Sequence, residues 1–369
     1  MEQEILTKVE ALSDEMIDGI LEVVKIDSVE AEAKPGKPFG EGVAKALETA
    51  LTIAERLGFA TKNIDGYMGY AQYGEGEDYI GVVGHLDVVP VGDGWNQPPF
   101  SGYVDEHGRI FSRGILDNKG PIMSCLYALY AIKELHIELA KPVRIIFGTD
   151  EESGFEDLHY YLSKEKPPVM GWTPDCKYPV VYGERGRAIV NITANQEYLQ
   201  EFFAFVNEYF LDSKDNGERL GINYEDQEYG VMQIRNYQLT SSEKTVGFKV
   251  TLSYPAIASI DQIMNQIKTK TSEHLEVSLE HNYDPVRFEK DCFMVKSLQE
   301  AYEEVTGLDG TPVTTTGGTY AKAMPNIVPF GPSFPGQKGI GHNPNEWMDV
   351  KDLITNAKIY ALGIYKLAK

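Results

Sequence analysis

The sequence has few cysteines, few basic residues relative to acidic ones, and no long hydrophobic run. Each of these shortages excludes some classes of protein or of binding partner. Three cysteines (Cys125, Cys176 and Cys292), none in a Cys-x-x-Cys pair, argue against a disulfide scaffold and suit a reducing compartment. Lysine and arginine number 34 against 56 acidic residues, and the net charge of −22 argues against nucleic acid and anionic membranes as partners. No apolar run reaches the roughly 18 residues of a membrane span, and the acidic start of the chain does not read as a signal peptide. We therefore expect a cytoplasmic protein.

What the sequence contains indicates an α/β fold. Hydrophobic residues make up 42% of the 369 residues, as in ordinary globular chains. Two short apolar runs, 79–84 and 143–148, have the pattern of strands buried on both faces. Helices are predicted over 3–25, 42–57, 119–135, 196–211, 260–273, 291–306 and 350–367. This alternation predicts a sheet covered by helices on both faces.

The pattern changes in the middle of the chain. Between about 190 and 283, apolar residues alternate by two, as in 246–252, which is typical of strands with one wet face. We therefore predict a smaller α+β domain at 188–283, inserted into an α/β domain formed by 1–187 and 284–369.

His85 and Asp87 directly follow the first buried strand, at the end where open α/β sheets bind ligands. In extended backbone the two side chains point to the same side, so Asp87 can orient a His85 ring that ligates a metal. On its own, a His-x-Asp pair fits a hydrogen-bonded core histidine better.

Two further acidic segments have the same ambiguity. Asp117 precedes the 119–135 helix, where it is either a helix cap or a carboxylate free to bridge two cations. Asp150, Glu151 and Glu152 follow the second buried strand, and three adjacent acids repel one another unless a positive charge neutralises them. Because neighbouring side chains point apart, one of Glu151 and Glu152 can ligate metal while the other handles a water. A solvated acidic turn is the alternative.

Asp175 and His342 lie in predicted loops and would attract no notice separately. Together with His85, Asp117 and one glutamate, they form a plausible ligand set for two zinc-type ions. Two such ions can share a bridging carboxylate and a bridging water whose proton a nearby carboxylate accepts.

These motifs resemble the dinuclear zinc aminopeptidase/aminoacylase superfamily and, within it, the PepV-like bacterial dipeptidases. The resemblance covers about residues 1–190 and 284–369. The segments that carry it are Gly84–Pro90, Gly94-Trp95, Pro99-Phe100, Gly114–Pro121, Gly148–Gly154, Thr173–Asp175, Gly317–Ala321 and His342–Glu346.

The resemblance implies a mixed-sheet zinc-peptidase catalytic domain with an inserted lid, and it implies a role for each matching residue. His85 and Asp175 would hold one metal, Glu152 and His342 the other, and Asp117 would bridge them. Asp87 would orient His85, and Glu151 would act as general base. Gly318 and Thr319 would line the substrate pocket, and the peptide bond between Asp117 and Asn118 would be cis. The cofactors implied are two divalent ions, with zinc favoured and manganese or cobalt compatible.

The inserted domain departs from this family. PepV-like lids are nearly twice as long and contribute a histidine that stabilises the oxyanion, within a Gly-x-x-x-His-x-x-x-Pro segment. Between 188 and 284 this chain has only His274 and His281, neither in that motif. Where the family usually has an arginine before Tyr-Pro, this chain has Ser253. Arg235 and His281 are weak candidates for a replacement donor.

The complete ligand set, taken together with the missing lid histidine and arginine, leads to two alternative functions. The first is hydrolysis of the amide bond of dipeptides or similar small substrates, by a metal-activated water with Glu151 as general base. The second is a catalytically impaired metal-binding homologue that binds a peptide or a partner. We favour the first, since a purely structural metal site needs no general base. An exposed sheet edge on a short lid also predicts a homodimer through the lid.

Overall fold

The computed structural model describes all 369 residues. Its helices are α1 (Glu2–Ala11), α2 (Ser13–Val24), α3 (Glu41–Arg56), α4 (Lys119–Glu134), α5 (Glu156–Lys164), α6 (Leu199–Val206), α7 (Ile260–Lys268), α8 (Phe293–Thr306) and α9 (Val350–Ala368). Short 3₁₀ turns cover Gln196–Tyr198 and Tyr320–Lys322, and a π-helical segment covers Asn207–Leu211. No helix combines the length and the apolar character that crossing a bilayer requires.

In addition to the strands of the two main sheets, several short strands form sheets of two or three strands. They are β1 (Ala60–Ile64), β2 (Met68–Tyr73), β3 (Ile80–His85), β4 (Tyr103–Val104), β5 (Arg109–Phe111), β6 (Val143–Gly148), β7 (Met170–Thr173), β8 (Cys176–Lys177), β9 (Val181–Glu184), β10 (Gly186–Asn195), β11 (Glu225–Asp226), β12 (Gly230–Val231), β13 (Gln233–Ser241), β14 (Thr245–Tyr254), β15 (Leu275–Tyr283), β16 (Val286–Arg287), β17 (Val313–Thr315), β18 (Ile327–Pro329), β19 (Pro332–Ser333) and β20 (Trp347–Asp349).

The chain divides into two compact units. The first unit comprises Met1–Val181, Glu289–Pro312 and Thr319–Lys369, and the second comprises Tyr182–Phe288 and Val313–Gly318. The structure groups 313–318 with the second unit, whereas the sequence placed them in the larger domain. The reason is that β17 joins the small sheet β16–β9–β17. The functional assignment of the domains stays a prediction.

The first unit is built on a six-stranded mixed sheet in the order β1–β2–β6–β3–β7–β18. Strands β6, β3, β7 and β18 run parallel, while β1 and β2 are antiparallel to their neighbours. The strands predicted at 79–84 and 143–148 are β3 and β6, and every residue of both is buried. Continuous apolar runs therefore identified the centre of the sheet, where both faces are covered.

Helices cover both faces of this sheet. Gly69 on β2 and Gly84 on β3 lie on one face, directly against side chains of α3 and α4. Arg144 on β6 points to the other face, where its guanidinium lies 3.2 Å from the hydroxyl of Tyr161 on α5. The predicted fold class, a mixed α/β sheet with helices on both faces and a smaller α+β part, is confirmed.

The second unit has its own core beneath a four-stranded antiparallel sheet in the order β13–β14–β10–β15. Buried residues alternate along β10, where Val190 and Ile192 pack in the core and their neighbours are partly exposed. Side chains of α6 and α7, such as Phe202 and Ile263, complete this core. The alternation predicted one covered face and one wet face, and the sheet has this arrangement.

Of three predicted helices, two were wrong in detail. The helix expected over 3–25 is interrupted at Leu12, whose ψ of 1° departs from helical geometry, and acidic residues in the first turn of α2 favour a new helix start there. The helix predicted over 196–211 is confirmed at these bounds, and its geometry changes from 3₁₀ to α to π along the segment. The helix predicted to reach 273 ends at Lys268.

Candidate metal centre

Three adjacent parallel strands bring the candidate ligands to one edge of the sheet. His85 is the last residue of β3, Glu151 and Glu152 follow the end of β6, and Asp175 follows the end of β7. Because β6, β3 and β7 are neighbours, their carboxyl ends lie together. The main sheet therefore positions four of the predicted site residues, all within the first unit.

Two groups of potential metal ligands form at this edge. One contains His85, Asp117 and Asp175, and the other contains Asp117, Glu152 and His342. Within each group, one potential ligand atom from every residue lies within 4.8 Å of the others. Asp117 belongs to both groups and supplies a different oxygen to each.

In the first group, His85 Nε2 lies 3.0 Å from Asp117 Oδ1 and 3.7 Å from Asp175 Oδ2. In the second, His342 Nε2 lies 3.0 Å from both Asp117 Oδ2 and Glu152 Oε1. His342 adopts a left-handed backbone, with a φ of 62°, in the loop before β20. Such a conformation is uncommon outside glycine and is found preferentially at functional sites.

Asp87 connects the two groups, although partly through its main chain. The Nδ1 atom of His85 lies 2.9 Å from the carbonyl oxygen of Asp87 and 3.4 Å from its Oδ1. Asp87 Oδ2 accepts a 3.0 Å hydrogen bond from the backbone N–H of Glu152. The predicted orientation of His85 by Asp87 thus has its shorter contact at the backbone carbonyl, while the carboxylate also holds the acidic segment after β6.

Sequence reasoning assigned no role to Asn118, although the residue lies beside Asp117 in the quoted motif. Its Oδ1 accepts a hydrogen bond from the backbone N–H of His85, and its Nδ2 donates to the carbonyl of Pro174. A side chain at Gly84 would collide with this amide, which explains the glycine. The expected cis peptide between Asp117 and Asn118 is confirmed.

The carboxyl groups of the site are buried and close to one another, and both conditions disfavour their charged forms. Burial raises the pKa of the Glu151 carboxyl well above its usual range, and the charge of Glu152 raises it further. Burial and the charge of Asp117 likewise raise the pKa of Asp175. These shifts mean that the charged carboxylates lack a compensating positive charge.

The histidines respond in the opposite direction. Hydrogen bonds to Asp117 and Glu152 raise the pKa of His342 to about 10. Burial disfavours a charged His85, yet Asp87 and Asp117 raise its pKa well above the usual range. Protonated His85 and His342 would supply the positive charge in direct contact with these carboxylates, and a divalent cation between the same donors would fit the set equally. Imidazole and carboxylate ligands suit zinc-type ions.

Gly318 and Thr319, predicted to line the substrate pocket, fall on either side of the unit boundary. Thr319 is buried, and its Oγ1 accepts a hydrogen bond from the N–H of Ala321, so it caps the turn Tyr320–Lys322. Gly318 is exposed in the second unit. Contact of either residue with a substrate stays a prediction.

The profile of peptidase family M20/M25/M40 matches residues 81–366, which include every candidate ligand. The chain belongs to peptidase family M20/M25/M40. A Bacillus subtilis (strain 168) relative named "Putative dipeptidase YtjP" is 30% identical over 455 residues, covering 96% of this chain and 98% of the relative. Members of this family catalyse metal-dependent hydrolysis of peptides, and this chain is accordingly an enzyme of the metallopeptidase class.

Solved peptidase structures share this fold. Human carnosine dipeptidase 1 superposes with a TM-score of 0.73 at 16% identity, covering 99% of this chain and 98% of that chain. The Bacillus subtilis YXEP protein, described as a dinuclear metal binding peptidase, superposes with a TM-score of 0.67 at 12% identity, covering 97% and 99%.

The M20 relative is longer than this chain. Its alignment has 455 positions, whereas this chain has 369 residues, so at least 86 aligned positions of the relative have no counterpart here. The shortening of the inserted domain stays a prediction. Membership in the PepV-like subgroup stays a prediction.

Proposed function

We propose that this chain hydrolyses the amide bond of dipeptides or of similar small N-acyl or peptide substrates at a two-metal centre. One observation carries the proposal: two ligand groups share the carboxylate of Asp117 at the carboxyl edge of the sheet. The names of the relative and of the structural neighbour, both dipeptidases, support the substrate class.

The chain's own residues divide naturally between two divalent cations. His85 and Asp175 would hold one cation, Glu152 and His342 the other, and Asp117 would bridge them. The donors are nitrogen and oxygen only, which suits zinc and is compatible with manganese or cobalt. When bound, such ions polarise the scissile carbonyl and lower the pKa of a water.

Glu151 is the proposed general base. It precedes the ligand Glu152 in the turn after β6, and neither ligand group includes its carboxylate. Glu151 would take the proton of the attacking water and pass it to the leaving amine. Asp87 assists by holding His85 and the backbone of Glu152, as described above.

A cavity of about 220 Å³ beside the ligands is the proposed substrate position. Asp117 and Asp175 line it together with Ser333, Gln337 and Lys338. Lys338 is exposed, and its ammonium group is suited to a substrate carboxylate. Gly318 and Thr319 are proposed to complete the substrate site, as the family resemblance implies.

The second unit is proposed to act as a shortened lid and to pair with a second copy. Its outer strands β13 and β15 leave two sheet edges, and Tyr237 and Leu239 on β13 are 44% and 54% exposed. Unpaired edges favour association with another strand. Sedimentation of the wild type should show a dimer, and Leu239→Glu should shift it toward monomer. A monomeric wild type would contradict this part of the proposal.

The test of the catalytic proposal is hydrolysis of unblocked dipeptides by protein loaded with Zn²⁺ or Mn²⁺, with bound metal counted in the same sample. Glu151→Gln should lower the rate about 100- to 10,000-fold, the usual contribution of a general base, with metal content unchanged. Glu156→Gln is the matched control because Glu156 is an exposed glutamate in the first turn of α5.

Turnover by the wild type that chelation abolishes and Glu151→Gln removes would support the proposal. Two bound cations without turnover would contradict it and favour a metal-binding homologue that acts by binding a peptide or partner. Equal rates for Glu151→Gln and the wild type would eliminate Glu151 as the base.

A further inference from the structure

A buried ion pair lies behind the metal ligands and has no place in the proposed chemistry. The side chains of Arg113 and Glu346 are each 1% exposed, and Arg113 Nη1 lies 2.8 Å from Glu346 Oε2. Taking two charges out of water is costly, and such pairs contribute little to stability by themselves. The other contacts of both side chains suggest what this pair does.

Glu346 holds the segment that carries the shared ligand. Its Oε1 accepts hydrogen bonds from three backbone N–H groups, those of Gly114 at 3.1 Å, Leu116 at 2.9 Å and Asp117 at 3.1 Å. Hydrogen bonds to a charged carboxylate are stronger than neutral ones. A single oxygen therefore fixes the backbone at Asp117, the residue common to both ligand groups.

Arg113 reaches the segments that follow both ligand histidines. Its Nη1 donates to the carbonyl of Asn343, the residue after His342, at 3.3 Å. Its Nη2 donates to the carbonyls of Pro90 and Val91, in the loop after β3 and His85, at 3.4 and 3.3 Å. The planar guanidinium can serve these acceptors at once because its five donors point in fixed directions.

Local strand pairing explains why the two charges meet. Glu346 precedes β20 and Ser112 follows β5, and the two strands pair antiparallel, with Trp347 opposite Phe111. The ladder continues one step further, because the N–H of Ser112 donates to the carbonyl of Glu346 at 3.1 Å. Arg113 is the next residue along the chain, which places it beside Glu346.

We propose that the Arg113–Glu346 pair is a positioning device that sets the spacing between the two halves of the metal centre. Three segments meet at the pair: the loop after His85, the loop before α4 with Asp117, and the loop of His342. Each carries a ligand or directly follows one, and the pair links all three without touching a ligand side chain. The inference rests on the proposed two-metal function and adds two positioning residues to it.

The test is titration of the metal-free full chain with Mn²⁺ by calorimetry, alongside thermal unfolding of the metal-free form. Glu346→Gln keeps the size of the side chain, but it removes the charge and turns an NH₂ group toward one of its neighbouring donors. Both Mn²⁺ dissociation constants should rise about 10- to 100-fold, the usual effect of losing a partner behind metal ligands. Arg113→Lys keeps a cation beside Glu346, but the lysine cannot reach the three carbonyls. We therefore expect this variant to fold and both of its Mn²⁺ dissociation constants to rise as well.

Glu165→Gln is the matched control. Arg144 and Glu165 form a second largely buried pair, with side chains 10% and 12% exposed and an Nη1–Oε2 distance of 2.9 Å. Arg144 lies near the start of β6, the strand end opposite the ligands. Glu165→Gln should lower the unfolding temperature and leave both Mn²⁺ dissociation constants within about twofold of the wild type.

The outcomes separate this inference from the function on which it rests. Failure of the wild type to bind two Mn²⁺ per chain would overturn the proposed function itself. Two bound Mn²⁺ with unchanged affinities in both Glu346→Gln and Arg113→Lys would overturn only the positioning role. Lower unfolding temperatures with unchanged affinities would likewise reduce the pair to a structural role. If Glu346→Gln does not fold, the affinities of Arg113→Lys decide.

Discussion

The two units of this chain bury very different kinds of side chain. In the first unit, charged and polar groups such as Asp87, Arg113 and Lys119 are almost fully buried near the ligand groups. In the second unit the core is a cluster of aliphatic and aromatic side chains, and the buried polar residues of this unit are fewer, namely Glu184, Arg185, Thr251 and Ser253. Buried charges are costly unless they are paired, so their concentration marks the first unit as the place of chemistry.

This difference also indicates which activity would survive if part of the second unit were lost, namely metal binding. All five candidate ligands, Glu151 and Asp87 belong to the first unit, so metal binding needs no residue of the second. The lid histidine that the family resemblance implies is missing from the second unit instead. We therefore expect mutations in the two units to separate metal binding from the handling of substrate.

The largest expected effect is that of Asp117→Asn. Asp117 supplies one oxygen to each ligand group, so a neutral amide should weaken both cation sites by more than the 10- to 100-fold typical of outer contacts. Metal counting after dialysis and dipeptide hydrolysis would measure the loss. Glu280→Gln is the control in the second unit, where Glu280 pairs with Lys249 at 2.7 Å. Equal metal loss in both variants would contradict the expectation that metal binding depends on the first unit alone.

The second prediction concerns the stability of the first unit. The Tyr320 hydroxyl donates to Asp157, which also accepts hydrogen bonds from the backbone N–H groups of Thr149 and Asp150. Because Asp157 is fully buried, Tyr320→Phe should lower the free energy of unfolding by about 1.5–3 kcal/mol. Urea denaturation would measure this. Tyr103→Phe, at a hydroxyl on a 44% exposed side chain, should change little, and equal effects would contradict the prediction.

The sequence predicted the strand ends well because polar residues stand at or directly after the end of each buried strand. His85 at the end of β3 and Glu152 after β6 needed only the apolar runs and the rule that ligands bind at the carboxyl edge. Asp175 and His342 lie in loops without a periodic pattern. Their residue types made them plausible members of the ligand set, and the family resemblance alone assigned each of them to a particular metal.

The contacts behind the ligands were not predictable in this way. Glu346 lies in a quoted motif, but its bonds to the backbone of 114–117 depend on the pairing of β20 with β5, which the sequence does not reveal. Asn118 was missed for a similar reason, since its partners belong to two different strand ends. Short strands such as β4 and β20 carry too few residues for a period to appear.

The third prediction turns to the second unit, where the departure from the family leaves Ser253. Its hydroxyl is buried without a hydrogen-bond partner, and the side chain is 2% exposed. Since an unsatisfied buried hydroxyl is destabilising, Ser253→Ala should leave the free energy of unfolding unchanged or raise it by about 1 kcal/mol. Ser278→Ala, on exposed β15, is the control. A fall in dipeptide hydrolysis for Ser253→Ala would show instead that this hydroxyl serves the substrate.

The smallest expected effects are those of His281→Ala and Arg235→Ala, the two weak candidates for a replacement oxyanion donor. Both side chains are exposed, and Arg235 Nη2 is 3.4 Å from the carbonyl of Thr316 within the same unit. We expect kcat to change less than about threefold in either variant, because an exposed donor in water stabilises a developing charge only weakly. His107→Ala, at an exposed turn of the first unit, is the control for removing a histidine.

A loss of 100- to 1,000-fold in kcat with metal content unchanged would contradict this expectation, since that is the usual effect of removing an oxyanion donor. It would assign the missing donor to the second unit and weaken the division between the units. Unchanged rates in both variants would eliminate these two side chains as the donor. The rate of the wild type should then fall below that of the longer Bacillus subtilis relative by about the same 100- to 1,000-fold, which a side-by-side assay on one dipeptide would measure.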